Sequence, residues 1–267
     1  MQIELIGCTS SGKSTLARGI FQAGREHGAE ISMGDETVLK HFRLSWVKPK
    51  FARILCVDLI ALFGCFISWK ANLEFYRFGI RIVSRLQAGR FEKLNIARNV
   101  LKNIGIHEII RRVVNQQQLV LLDEGPLHTA HYLFVHVSVE PDNSDLSTFA
   151  RLVPLPDMVI YIRQDETKLI QRTMARGHKR IPSGSNGQVE LFIKRAIKTF
   201  EILTKIPVVE SRLVVVDGER RITNAQDYRK DPQRASVLQI IADGLDVVSA
   251  YTPPRNMYIQ EAQISKP

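Results

Sequence analysis

Cysteine is scarce here: the 267 residues hold three, Cys8, Cys56 and Cys65, an odd number with no CxxC pair. That excludes a disulfide-framed secreted scaffold and fits a reducing compartment with ordinary buried or half-buried thiols. Also missing is an uninterrupted apolar run of about 20 residues, the length a membrane-spanning helix needs. Phe51–Trp69 comes nearest, but Arg53 and Asp58 interrupt it and its unbroken part, Leu59–Trp69, is too short. The segment is therefore expected to be a buried helix or one facing a partner, such as a second copy of the chain. Lys48, Lys50 and Lys70 beside it leave peripheral membrane contact open. The first residues lead straight into a strand pattern with no basic n-region or small-residue cleavage site, so the expectation is cytoplasmic. There is no run of five or more basic residues and no basic patch with interleaved aromatics, although the formal net charge is +10, from 37 Lys+Arg against 27 Asp+Glu. Nucleic acid is disfavoured as a partner on that account, and a phosphate-rich small molecule is the simpler sink for the charge. With 45% hydrophobic and 24% charged residues, whole-chain disorder is excluded too.

What is present is an alternation of short apolar strands and helices. Gln2–Ile6, Ala29–Met33, Leu119–Leu122, Asp157–Ile162 and Leu213–Val216 read as strands. Ser14–His27, Thr167–Arg176, Val189–Lys205 and about Ala235–Leu245 read as helices, and the stretch from Val38 to Gln116 is helical in pattern. Such alternation predicts an α/β fold, a parallel sheet covered on both faces. With no repeat and no linker, the chain reads as one domain over residues 1–250, with a helical insertion at about 38–116, a lid at about 172–188 and a weakly ordered tail at 251–267.

The most specific pattern is Gly7-Cys8-Thr9-Ser10-Ser11-Gly12-Lys13-Ser14, which fits the GxxxxGK[ST] Walker A spacing between a strand and a helix. Glycines let such a loop curl until successive N–H groups face inward around phosphate oxygens, and the helix behind adds its positive end. Lys13 can then reach the β- and γ-phosphates of ATP, Ser14 can offer its hydroxyl to Mg²⁺, and Thr15 counts with Gly7–Ser14 among the residues expected to bind the nucleotide. Asp123, at the end of the LVLL strand, is the candidate for holding Mg²⁺, with a turn or capping aspartate as the alternative. Glu124 either polarises an attacking hydroxyl or water or caps the following turn. Arg172, Arg176 and Arg180 recur every four residues beside the Gly/Ser stretch Ile181–Gln188. They suit a lid over the transferring phosphoryl group, or else a solvated basic helix face.

The GCTSSGKST loop, the LVLLDEG strand end, the VIYIRQDETKLIQRTMARG block, the Gly/Ser stretch and the LVVVDG strand together resemble the nucleoside and nucleoside-monophosphate kinases, especially the thymidylate kinase and deoxynucleoside kinase branch. The resemblance covers about two thirds of the chain. It implies the P-loop NTPase three-layer α/β/α fold with a five-stranded parallel sheet of order 2-3-1-4-5. It also implies that Arg172 and Arg176 are lid arginines and that the loop after Asp217 lies near the adenine. By the same resemblance Asp35 or Glu36, in the acidic turn after the second strand, orients the acceptor hydroxyl as a base; an Asx-stabilised turn is the other reading. The chain departs from the family after the third strand, where Asp123-Glu124-Gly125-Pro126 carries no arginine.

The expected activity is thus transfer of the γ-phosphoryl group of ATP·Mg to a small acceptor, a nucleoside, a nucleotide or another hydroxyl compound. Two other classes stand beside it: an ATPase acting on a macromolecule with Glu124 activating water, and a nucleotide-binding regulatory protein docking through Phe51–Trp69. The sequence has neither an LSGGQ-like segment nor an NKxD segment, which argues against ABC-type ATPases and GTPases.

Overall fold

Alternate residues of the strands enter different apolar clusters, so the sheet is buried from both sides. Ile3 and Leu5 of β1 (Gln2–Ile6) join one cluster and Ile6 another; Met158, Ile160 and Ile162 of β4 (Met158–Ile162) separate in the same way from Val159 and Tyr161. Period-two burial on both faces is what a strand sandwiched between helical layers requires. The computed structural model describes residues 1–115, 118–137, 140–177, 181, 185–218, 221–223 and 232–250. After β1 come α1 (Lys13–Glu26), β2 (Ile31–Met33), α2 (Gly34–His41), α3 (Lys50–Ile67), α4 (Leu73–Arg85), α5 (Arg90–Val113) and β3 (Leu119–Leu122). Then follow α6 (Thr129–Phe134), α7 (Asn143–Leu152), β4, α8 (Glu166–Arg176), α9 (Asn186–Thr204), α10 (Pro207–Glu210), β5 (Leu213–Val216), β6 (Ile222–Thr223) and α11 (Pro232–Ala250).

The expected all-parallel sheet of five strands in the order 2-3-1-4-5 needs correction. The described residues form a mixed six-stranded sheet, β2-β3-β1-β4-β5-β6, whose last strand runs antiparallel to β5. The added strand has only two residues, too few for any periodicity to announce it, and it follows a turn closed by Asp217, whose carboxylate accepts from the Arg221 N–H at 2.8 Å. A second correction concerns Gly34-Asp35-Glu36, read as a turn but forming the first turn of α2. Two carboxylates at a helix N-terminus meet the positive end of the helix dipole and favour the helical state there. The tail at 251–267, Arg180 and residues 182–184 of the Gly/Ser stretch expected in the lid lie outside the described residues.

One face of the sheet is covered by α1 and α11, the other by α4, α5, α6, α7 and α9, with α2 and α3 packed over β3. Parallel pairing of β1 with β3 and with β4 brings the carboxyl ends of all three strands to one edge, so Gly7, Asp123 and Arg163 emerge together. Among the described residues no helix is long and apolar enough to cross a membrane.

Helices α3 and α5 approach closely enough to exclude side chains. A Cβ at Gly105 would stand 1.9 Å from the Ala61 carbonyl oxygen, and one at Gly64 would stand 2.2 Å from that of Gly105. Gly105→Ala therefore pits a helix-propensity gain of about 1 kcal/mol against overpacking that costs about 1–3 kcal/mol in a closed seam. Because the clash is with backbone, the overpacking wins, and a lowered thermal midpoint is expected; an unchanged or raised midpoint would show that the seam can open.

Candidate functional site

The loop that leaves β1 is shaped by residues few side chains could replace. Gly7 has φ 147° and Gly12 φ 101°, both in the region that disfavours side chains, and a Cβ on Gly7 would meet the Ile162 carbonyl at 2.9 Å. Ser10 also takes a positive φ, 63°. The turn closes through Ser11 N–H donating to the Cys8 carbonyl at 3.2 Å, and α1 starts with Thr15 and Leu16 N–H donating to the Gly12 carbonyl. Cys8 is buried, and burial pushes its thiol up to about 12, so it is a packing residue rather than a nucleophile. Thr9 is partly buried, and Ser11 is buried with its hydroxyl oxygen unpartnered among the described residues.

Lys13 folds back over this loop, its ammonium donating to the carbonyls of Gly7 at 3.0 Å and Cys8 at 3.1 Å. Burial holds its pKa below the ordinary lysine value, Asp123 and Glu124 work against that, and Arg176 adds to it. Two neutral carbonyls neutralise no charge, which leaves an enclosed cation that attracts anions. Ser14, 109 positions from Asp123 in sequence, donates its hydroxyl to Asp123 Oδ2 at 3.2 Å. The other carboxylate oxygen, Oδ1, is buried with no partner among the described residues. Burial raises the Asp123 pKa, an effect opposed by Lys13 and the Ser14 hydrogen bond. A hydroxyl and a carboxylate with a spare buried oxygen are hard donors, the kind magnesium takes while keeping waters and phosphate oxygens as its other ligands.

The remaining candidates divide. Glu124 is beside Asp123, near enough to act on Lys13, and accepts a hydrogen bond from the Tyr132 hydroxyl. Arg172 and Arg176 are exposed on α8, and Arg176 is close enough to act electrostatically on Lys13. Asp35 and Glu36 are drawn instead toward the helical insertion, Asp35 by Lys102 of α5 at 3.2 Å and Glu36 by Arg53 of α3 at 3.8 Å. Neither hydrogen-bonds to the loop among the described residues. Asp217 closes the β5–β6 turn as described above. Beside Ser14 and Asp123 lies an open cleft of about 310 Å³, also lined by Ala17, Arg18, Phe21 and Met33, and Glu36 lines its continuation along α1.

Two residues that shape the site were not singled out in the sequence. Thr173, fully buried between Arg172 and Met174, donates its hydroxyl to Ser10 Oγ at 3.3 Å and so pins α8 to the loop. Glu4 is fully buried in β1, its carboxylate accepting from the N–H groups of Leu127 at 3.1 Å and His128 at 2.6 Å. A Cβ on Gly125 would lie 2.5 Å from that carboxyl carbon, so Glu4 and Gly125 together set the path of the segment carrying Asp123 and Glu124. The signal was a lone acid inside QIELI.

Burial raises the Glu4 pKa from 4.5 to about 8, while the N–H groups of His128, Leu127 and Gly125 pull the other way. A raised carboxyl pKa means that the folded state keeps a proton the unfolded state gives up, so stability is full below pH 4.5 and is lost as pH climbs through about 8. Thermal midpoints measured across that window should fall more steeply for the natural protein than for Glu4→Gln, by the equivalent of about a few kcal/mol. Parallel curves would mean that Glu4 does not titrate there.

No protein-family model matches the chain, and no curated protein matches it.

Proposed function

We propose that the chain is an ATP-dependent phosphotransferase on a three-layer P-loop framework, moving the γ-phosphoryl group of ATP to a small acceptor of the nucleoside or nucleotide class. The observation that carries this reading is the meeting of Ser14 and Asp123 at 3.2 Å beside the enclosed Lys13 ammonium. Three residues from two strand ends thereby provide a cation for phosphate oxygens and two oxygen donors for magnesium. The strand–loop–helix with the GxxxxGK[ST] spacing, to which Lys13 and Ser14 belong, supports the same reading.

Lys13 exchanges the carbonyls of Gly7 and Cys8 for β- and γ-phosphate oxygens, and the N-terminus of α1 adds its dipole. Ser14 and Asp123 would hold magnesium, which supplies charge neutralisation on the phosphate oxygens when bound. Arg172 and Arg176, on the helix that Thr173 ties to Ser10, bring guanidinium groups to the open side, where they offset charge and exclude water. Glu124 is favoured over Asp35 and Glu36 as the group that orients the acceptor hydroxyl, because it adjoins Asp123 and acts on Lys13, whereas those two face Lys102 and Arg53 of the insertion. As the acceptor oxygen bonds to the γ-phosphorus, its proton passes to Glu124 and the bond to the β-phosphate oxygen breaks, releasing ADP. Phe21 and Arg18 in the neighbouring cleft suit an acceptor with a flat ring and negative charge.

ADP release measured over a panel of nucleosides, nucleoside monophosphates and sugars tests this. Turnover should appear only with an acceptor, and Glu124→Gln should depress it. Steady hydrolysis indifferent to every acceptor, with Glu124→Gln trapping bound ATP, would replace the kinase by an ATPase.

A further inference from the structure

We infer that the exposed face of α3 is a docking surface for an anionic lipid membrane, on which the helix lies flat. Phe51, Leu55, Leu59, Leu62, Phe63 and Phe66 are between 49% and 80% exposed. At 100° per residue they fall within about 120° of one another, a stripe about 22 Å long. The opposite side of the helix, including Ala61 and Gly64, is shut against α5. The stripe itself is free of charge: Arg53 turns to Glu36, and Asp58 pairs with Arg98.

What borders the stripe selects the occupant. Trp46, 74% exposed, precedes α3, and Trp69, 49% exposed, follows it, placing at both ends the residue that favours the boundary between lipid headgroups and acyl chains. Exposed Lys48 and Lys50 stand at one end and exposed Lys70 at the other, in a chain with a formal net charge of +10. Apolar residues between aromatic and lysine ends fit a helix seated in an anionic headgroup layer. A second copy of the chain is the poorer fit, since any such pairing sets one strongly cationic chain against another. This inference is independent of the phosphotransfer reading.

The test mixes the full chain with vesicles of phosphatidylcholine alone and of phosphatidylcholine with an equal part of phosphatidylglycerol, following cosedimentation and tryptophan emission. The protein has two tryptophans, Trp46 and Trp69, so the emission reports the ends of α3 alone. Binding to the anionic vesicles with a blue shift is expected, and weak binding to the neutral ones. Replacing Lys48, Lys50 and Lys70 by glutamine should weaken anionic binding by on the order of 100-fold, at about fivefold per lysine. Leu59→Gln with Phe63→Gln should weaken it by a similar factor, with circular dichroism unchanged because both side chains are on the surface. Three results would overturn the inference: no binding to anionic vesicles, equal binding to both compositions, or a concentration-dependent dimer that buries the tryptophans without lipid.

Discussion

Lys13→Ala should abolish acceptor-dependent ADP formation, a fall on the order of 10³-fold or more. The ammonium is the cation nearest the loop carbonyls, and nothing else on α1 replaces it: Arg18, one turn further, turns its guanidinium back to the Ser14 carbonyl. Loss of fold does not explain such a result, because among the described residues Lys13 hydrogen-bonds only to two carbonyls of its own loop and ties no other element to it. The thermal midpoint without nucleotide should therefore stay near that of the natural protein, while the shift produced by ATP and magnesium disappears. Lys13→Met retains most of the stem and separates charge from volume; it should be as inactive as the alanine variant. If either variant turns over at a tenth of the natural rate or better, the loop is not where the phosphoryl group is handled.

Asp123→Asn is the second large effect, and its signature is a split. The asparagine oxygen can still accept the Ser14 hydroxyl, so the link at 3.2 Å survives while the negative charge goes. Magnesium-dependent nucleotide binding should then weaken by at least about tenfold, whereas binding in the presence of a chelator should hold steady or improve, since a carboxylate no longer faces phosphate. In stability terms, a ligand at 100 times its dissociation constant adds about 2.7 kcal/mol, and a tenfold weaker one about 1.4 kcal/mol. Thermal shifts with and without chelator read the difference directly. Equal weakening in both conditions would assign Asp123 a structural role only.

Much of the framework was legible because its signals are local. QIELI, LVLL, MVIYI and LVVV are short apolar runs between helical stretches, and they are strands β1, β3, β4 and β5. The Gly7–Ser14 loop was legible for the same reason, as its spacing, its strand and its helix all lie within a few residues. What stayed hidden depends on contacts between distant positions. Thr173 meets Ser10 across 163 residues, and Glu4 meets His128 across 124. No periodicity encodes either partner. The pairing of Asp35 with Lys102, 67 residues on, and of Glu36 with the nearer Arg53 turns the acidic residues after β2 toward the insertion.

The sheet's outermost strands are also its shortest, three residues in β2 and two in β6. Among the described residues, a rim so brief gives an incoming peptide little main chain to copy at either flank. Inner strands of four and five residues have a paired strand on each side, although β5 meets β6 only at Val215 and Val216. Clumping of the natively folded chain during purification should accordingly respond to detergent or lipid, which shield greasy helix surface, and not to agents that block strand pairing.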